Sequence, residues 1–256
     1  MKLKFLGFAL LAVCVCAVCC MCGSDSKTPD YEFPDGPDPD PDPQPGDYPA
    51  GLTVTEFTDD LGGGKQCLGF VAVADLKANP KLRFNAVHLP QQKTPSRIHA
   101  EFASANRGTA CVTINAGYWW AGNSLSLLVT GGAVKSIENQ TVTRNNQTVY
   151  PVRSSFGQMA SGGFETHWIY CVLDDGNKPY AFPSALDNDE RTNTYMSAPP
   201  TSKTPGAVLW TPQEAVGGGP MLVKEGKNVA VENYWKEVFD LSLIHISEPT
   251  RLLSIS

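Results

Sequence analysis

Residues 167–182 indicate the fold most clearly, and they read His-Trp-Ile-Tyr-Cys-Val-Leu-Asp-Asp-Gly-Asn-Lys-Pro-Tyr-Ala-Phe. An apolar and aromatic run from His167 to Leu173 precedes a polar turn, and a second such run extends from Lys178 to Phe182. Asp, Gly and Asn accept the positive φ of a tight reversal at little cost. The stretch therefore predicts two antiparallel strands joined by the turn Asp174-Asp175-Gly176-Asn177.

Other segments extend this β-rich pattern toward the N-terminus. Ser124 to Val129, Gly131-Gly132 and Ala133 to Ile137 predict a second hairpin. Strands are also predicted over Cys67 to Ala74, Arg83 to His88 and Thr109 to Trp119, the last ending at a glycine–aromatic corner.

Helical signals are few. Ser96 to Asn106 predicts a helix that Ser96 caps after Pro95, with Ile98, Phe102 and Ala105 on one face. Pro212 to Val216 predicts a second, short helix, and Ala198 to Pro205 predicts a surface loop. The expected fold class is α+β, with a β-rich mixed sheet and a few short helices in a domain, residues 50–240, whose C-terminal part is missing.

The N-terminus predicts an exported protein. Lys2 and Lys4 precede an apolar stretch from Phe5 to Val18, which is typical of a signal peptide over residues 1–21. The run is short for a membrane span and has no basic cluster after it. Cys22, before Gly-Ser-Asp-Ser, resembles the lipidated cysteine of bacterial lipoproteins, and ordinary signal cleavage is the alternative. We expect a lipid-anchored protein of the bacterial envelope.

Residues 22–49 predict a tether, because prolines alternate with aspartates from Asp38 to Pro43. Proline fixes φ and like charges repel, so the segment should be extended. It accounts for most of the net charge of −6, since residues 50–240 carry 16 basic and 17 acidic side chains. A nearly neutral domain without a basic stripe argues against a nucleic-acid partner.

Three cysteines fall in the predicted domain: Cys67, Cys111 and Cys171. They fit buried free thiols or one disulfide with a spare thiol, and no zinc-ligand spacing is present. At the other end, residues 241–251 match the translation of a transposase-type sequencing adapter, so residues 241–256 are interpreted as read-through and the natural protein is expected to continue past Asp240.

Two glycine-centred segments carry candidate site residues. In residues 113–120, Asn115 can exchange hydrogen bonds with sugar hydroxyls, Gly117 allows close backbone approach, and Tyr118 and Trp119 offer aromatic faces. A turn asparagine with core aromatics is the structural alternative. In the second segment, Gly217-Gly218-Gly219-Pro220 predicts a nest of backbone N–H groups for an anion such as a phosphodiester, with a tight corner as the alternative.

Together these segments resemble the phosphodiester glycosidase family over roughly residues 65–240. Residues 114–119 resemble its I-N-G-G-F-F strand end, and residues 217–227 resemble its G-G-G-P-x-L-V-x-x-G-K loop. The resemblance implies that Asn115, Gly117 and the glycine loop bind substrate. The family also has R-T-A-x-G and N-L-D-G-G-G-S segments, which do not occur in this chain.

Cleavage of such a bond needs the developing positive sugar centre stabilised and the departing phosphate held. Arg153 could clamp phosphate in a bidentate fashion or be a surface arginine on a strand. Four carboxylates are available, and each has an ordinary structural role as its alternative: Glu101, Glu165, Asp187 and Asp189. No catalytic acid or base is therefore assigned. A divalent cation is a candidate cofactor, but no residue here is identified as its ligand.

Two functions are consistent with this pattern. The first is an envelope-anchored hydrolase that cleaves a sugar from a phosphodiester-linked or related glycoconjugate, inactive or impaired in this truncated form. The second is a non-catalytic glycan-binding lipoprotein, which the aromatic residues near Asn115 and the tether would suit. In both, the partners are a glycan or sugar-phosphate and, through the lipid, a membrane.

Overall fold

The structure, a computed structural model, describes residues 19–20, 48–62, 65–88, 93, 95–102, 108–117, 119–120, 123–138 and 140–238. The predicted signal peptide, Cys22, the tether and the tail after Asp240 lie outside the described residues, apart from residues 19–20 and 48–49. The chain divides into two compact units, with residues 84–88 and those from 115 to 238 in the second.

The first unit contains a three-stranded antiparallel sheet. Its strands are β1 (Cys19–Cys20), β2 (Leu52–Gly62) and β3 (Lys65–Ala74), in the order β1-β3-β2. β2 and β3 pair in register from Leu52 opposite Ala74 onward. β3 confirms the strand predicted for Cys67 to Ala74.

The same unit contains the helix α1 (Pro95–Phe102). It begins one residue earlier than predicted, so Ser96 lies inside the helix and Pro95 takes the first position, where its missing N–H is not needed. Glu101 accepts a hydrogen bond from Arg97 Nε at 2.9 Å and forms an ion pair with Lys93. The predicted extension of the helix through residues 103–106 lies outside the described part.

The strand predicted for Thr109 to Trp119 does not form in the described residues 109–117. Thr113 instead places its hydroxyl 3.0 Å from His99 Nδ1 of α1. The apolar composition of this segment is not sufficient to make it a strand, because a strand also needs a neighbouring backbone to pair with.

The second unit is built on short strands. They are β4 (Trp119–Trp120), β5 (Asn123–Ser124), β6 (Leu128–Thr130), β7 (Ala133–Ser136), β8 (Val142–Arg144), β9 (Gln147–Val149), β10 (Arg153–Gln158), β11 (Phe164–Val172), β12 (Lys178–Phe182), β13 (Val208–Leu209), β14 (Glu214–Gly217), β15 (Val223–Lys224) and β16 (Lys227–Asn228), followed by helix α2 (Ala230–Lys236). Seven of them form one sheet in the order β13-β12-β11-β10-β14-β6-β7. β4–β5, β8–β9 and β15–β16 form two-stranded ribbons.

Both predicted hairpins are confirmed. The β11–β12 turn has Gly176 at φ 65° and Asn177 at φ 59°, and the β6–β7 turn has Gly131 at φ 59° and Gly132 at φ 77°. The β-rich fold with a few short helices is confirmed as well. Where the sequence predicted a mixed sheet, every strand pair among the described residues is antiparallel.

Two local predictions in this unit were wrong. Pro212 to Val216 does not form a helix, because β14 is inserted between β6 and β10 and pairs with both. Arg83 to His88 does not form a strand. Its Ala86 N–H donates to a side-chain oxygen of Glu214 at 2.9 Å, and Thr130 donates its hydroxyl to the Ala86 carbonyl at 2.8 Å. Side chains here satisfy backbone groups that a ladder would otherwise satisfy. The predicted loop from Ala198 to Pro205 has no helix or strand.

The sheet of the second unit is covered on both faces. Alternate residues of β11 enter two buried clusters, with Ile169 and Cys171 in one and Trp168 and Tyr170 in the other. Since successive side chains of a strand point to opposite faces, a strand buried on both faces must be apolar at nearly every position. This explains the continuous apolar run from which the hairpin was predicted.

Among the helices of the described residues, none combines the length and the apolar character that crossing a bilayer requires.

Candidate functional site

The pairing of β10 brings together residues that are distant in sequence. Ser155 lies between His167 of β11 and Gly217 of β14 in the register of the sheet. Ladder pairing between β10 and β14 stops there, although the Gly218 N–H still donates to the Ser154 carbonyl at 3.0 Å. Arg153, Ser154 and Ser155 consequently lie beside the glycine loop.

A crevice opens at this place. Its lining residues are Ser126, Leu127, Glu138, Arg153, Ser154, Ser155, Ile169, Gly217 and Gly218. It encloses about 190 Å³ of empty space, including the open solvent at its mouth, and is too narrow for a water molecule in this conformation. The lining combines the buried carboxyl group of Glu138, the buried guanidinium of Arg153 and three serines.

The two glycine-centred segments pack against each other beside this crevice. A β-carbon on Gly117 would lie 2.7 Å from Ser126 Oγ and 2.9 Å from the Gly217 carbonyl oxygen. A β-carbon on Gly217 would lie 2.8 Å from the Leu127 nitrogen. All three distances are below the normal contact limit, so each glycine is required for this close approach.

The glycine loop does not present the predicted row of N–H donors. The N–H of Gly217 donates to the Leu127 carbonyl at 2.7 Å, and that of Gly218 donates to Ser154. Gly219 has φ 134° and is joined to the half-buried Pro220 by a cis peptide bond. The predicted anion nest is corrected accordingly, because the first two donors of the loop hold β14 in the sheet.

Arg153 is not a surface residue. It is 4% exposed and donates from Nη2 to the Val238 carbonyl at 3.0 Å. The surface-arginine alternative is therefore wrong. A guanidinium keeps its charge in such surroundings, so Arg153 brings a permanent positive charge to the crevice wall.

Other predicted site residues are more exposed or not described. Asn115 is exposed, and Trp119 belongs to β4, opposite Ser124 of β5. Tyr118 lies outside the described residues. Gly117 is thus the residue of this segment that packs against the crevice lining, at Ser126 and Gly217.

Glu138, which the sequence did not single out, is the buried acid of the crevice. Its Oε1 accepts hydrogen bonds from the Cys171 N–H at 2.5 Å and from Gln140 Nε2 at 2.9 Å. Its Oε2 is buried and has no hydrogen-bond partner among the described residues. Burial raises the pKa of Glu138, against the opposing effect of the Cys171 N–H.

A second buried acid, Glu237, fastens the end of α2 to the sheet beside the crevice. It accepts hydrogen bonds from the backbone N–H groups of Ser154 and Met221, both at 2.8 Å, and from Trp168 Nε1 at 3.1 Å. Burial raises its pKa, and these donors partly offset the effect. Both carboxylate oxygens of Glu237 accept hydrogen bonds, whereas Oε2 of Glu138 has no hydrogen-bond partner among the described residues.

The carboxylates considered from the sequence do not line the crevice. Hydrogen bonds from Lys93 lower the pKa of Glu101, and those from Arg191 lower the pKa of Asp189. Glu165 accepts from Trp210 Nε1 at 2.9 Å and lies 3.1 Å from His167 Nε2, and Asp187 is exposed. In the part of the chain that the structure describes, no three His, Cys, Asp or Glu side chains are arranged to hold a metal ion.

The missed residues carried little local signal. Glu138 is a lone acid after Ile137, and Ser154 and Ser155 are small residues of a strand. Glu237 follows Asn233 by four residues, a spacing that places both on one helix face, and both are buried.

For two of the three cysteines in the domain, the structure decides between a free thiol and a disulfide. Cys111 and Cys171 are both free thiols. Burial raises the pKa of Cys171 and keeps it a neutral, unreactive thiol beside Glu138.

Comparison of the chain with protein families, with characterised proteins and with solved structures finds no match.

Proposed function

We propose that this protein is an exported, lipid-anchored hydrolase that cleaves a sugar from a phosphodiester-linked or related glycoconjugate, and that the crevice beside Gly217 is part of its substrate site. The observation that carries the proposal is that Gly217 and Arg153 line one crevice and that Gly117 packs against Gly217 at its side. These residues come from the two segments that resemble phosphodiester glycosidases and from the predicted phosphate clamp.

The chemistry suits this group of side chains. In the proposed reaction water adds to the anomeric carbon and loses a proton to solvent or to the departing phosphate, while the bond from that carbon to the phosphate oxygen breaks and a phosphate monoester departs with the bonding electrons. The departing group is already a weak base, so the main requirement is to hold its charge. Arg153 supplies a fixed positive charge, and the serines offer hydroxyl donors.

The test is hydrolysis of a sugar 1-phosphodiester in H₂¹⁸O by the full-length protein. We expect the label in the hydroxyl of the released sugar, because the carbon–oxygen bond breaks. Label in the phosphate would indicate attack at phosphorus and contradict the proposal. Binding without turnover would favour the glycan-binding alternative.

A matched pair of variants connects the reaction to the crevice. Arg153→Lys keeps the charge but loses the planar fork, and we expect kcat/KM to fall about tenfold or more, as expected when a bidentate contact is lost. Arg191→Lys changes an exposed arginine that pairs with Asp189, and should leave the rate unchanged. Equal rates for both variants would exclude Arg153 from the site.

A further inference from the structure

A histidine and a glutamate form a solvent-accessible pair beside the crevice. His167 Nε2 lies 3.1 Å from Glu165 Oε2, and the two side chains are 30% and 43% exposed. The crevice itself is too narrow for a water molecule. A reaction that consumes water must therefore begin at groups that solvent reaches, and this pair meets that condition.

The pairing of the sheet sets His167 next to the crevice lining. His167 is opposite Ser155 in the antiparallel pairing of β10 and β11, and the β-carbons of such a pair are about 4.5–5.5 Å apart. Along β11, Ile169 is the next residue on the same face, because the side chains of a strand alternate. Ser155 and Ile169 both line the crevice, so His167 lies at its border.

Trp210 holds the pair in place. Its Nε1 donates to the same Oε2 of Glu165 at 2.9 Å, and its ring contacts the His167 ring edge-on, with 5.7 Å between the centroids. A β-carbon on Gly157 would lie 2.8 Å from the Trp210 ring, so this glycine leaves the room that the indole occupies. Because Trp210 is buried, Glu165 is oriented by a fixed donor and can orient the imidazole in turn.

This arrangement gives the imidazole a defined proton and a free lone pair. An ionised carboxylate accepts hydrogen bonds and cannot donate one, so the ring proton of neutral His167 belongs on Nε2, facing Glu165. Nδ1 then carries the lone pair that can take up a proton. β10 and β11 place two further ionisable groups on this face: Arg153, whose charge is permanent, and Cys171, which burial keeps neutral.

We propose that His167 is the catalytic base of the hydrolysis, with Nδ1 taking a proton from the water that attacks the anomeric carbon. Glu165 and Trp210 are positioning residues. The water oxygen bonds to the carbon, the bond to the phosphate oxygen breaks, and the phosphate monoester leaves with the bonding electrons. The imidazolium then releases its proton to solvent. This inference rests on the proposed function, which it deepens by naming the protein group that first accepts the proton of the water.

His167→Gln tests the role in the full-length protein, with the sugar 1-phosphodiester as substrate. The amide is close to the imidazole in size but is not a base, so kcat should fall about a hundredfold or more while KM changes little. In the wild type, kcat/KM should decline toward acidic pH by about tenfold per pH unit as His167 gains a proton, and the variant should lack this decline. His88→Gln changes an exposed histidine outside the crevice lining and should keep the wild-type rate and profile.

Two further variants separate catalysis from packing. His167→Ala leaves a space that solvent reaches, and added imidazole should raise its rate about tenfold or more, because it supplies the absent base. Imidazole should leave the wild-type rate unchanged. Glu165→Gln keeps an acceptor for Trp210 but removes the negative charge, so the acidic decline should move to lower pH.

The inference would be overturned by a wild-type rate that is level toward acidic pH, by an unchanged rate in His167→Gln, or by His167→Ala that imidazole does not stimulate. The wild-type profile decides the matter even if a variant does not fold. Sugar release by the wild type with any of these results would keep the hydrolase and exclude His167 as its base. Absence of sugar release by the wild type would overturn the proposed function and this inference together.

Discussion

The carbonyl oxygen of Gly217 lies 2.9 Å from the point that a β-carbon on Gly117 would occupy. A hundred residues of sequence separate these two glycines, and the fold leaves no room for a side chain between them. The contact therefore makes Gly117 the most direct test of whether the two segments pack together.

Gly117→Ala should destabilise the second unit, because the new methyl group would overlap Ser126 and the Gly217 carbonyl. Overpacking of this kind costs about 1–3 kcal/mol, and chemical denaturation would measure it. Gly218→Ala is the matched control, since a β-carbon there meets nothing within 4 Å. Equal midpoints for the two variants would contradict the close packing of the segments.

Glu138→Gln should change how stability depends on pH. Below the ordinary pKa of 4.5, Glu138 is neutral in the folded and the unfolded chain. Above that value the unfolded chain releases the proton while the folded chain retains it, so the free energy of unfolding of the wild type falls as pH rises through the raised pKa. The variant lacks this loss.

We therefore expect Glu138→Gln to match the wild type near pH 4 and to gain stability relative to it toward pH 8, by at most about 1.4 kcal/mol per pH unit. Urea denaturation across this range provides the measurement, with Glu225→Gln as the exposed control. A difference between variant and wild type that is independent of pH would show that Glu138 is ionised in the folded protein.

Glu237→Ala should be strongly destabilising. It would leave the N–H groups of Ser154 and Met221 and the indole N–H of Trp168 buried without their acceptor. Each such donor costs about 1–3 kcal/mol, so we expect a loss of several kcal/mol in denaturation. Glu232→Ala, which removes an exposed carboxylate of α2 paired with Lys236, should have little effect. Similar losses for both would indicate that Glu237 is solvated.

The thiols should differ in reactivity. Cys171 is fully buried with a raised pKa, whereas Cys111 is partly exposed. Alkylation of the native protein, followed by peptide mass spectrometry, should label Cys111 at least about a hundredfold faster, because Cys171 must wait for unfolding. Comparable labelling rates without denaturant would mean that β11 is not buried.

The features that could be predicted from the sequence are those that neighbouring residues alone determine. Gly131-Gly132 and Gly176-Asn177 readily adopt the positive φ that a tight turn requires, so both hairpins were predictable. Glu214 to Gly217 becomes a strand because β6 and β10 flank it, and no window of sequence contains those neighbours. The same reason hid Glu138, whose burial depends on Cys171 of a distant strand. Arg153 was named from the sequence as either a phosphate clamp or a surface arginine, and its burial was not predicted.

The position of β14 also bears on the order of folding. β14 pairs with β6 and β10, and both were synthesised long before it, so closing these loops carries a large entropic cost before any contact is gained. The crevice has walls from β10, from β14 and from Ser126 and Leu127 just before β6, and it cannot exist until this closure is complete. While the chain emerges during translation, β6 and β10 both lack the neighbour that β14 later provides, and an unpaired strand edge of this kind is a site at which aggregation can begin.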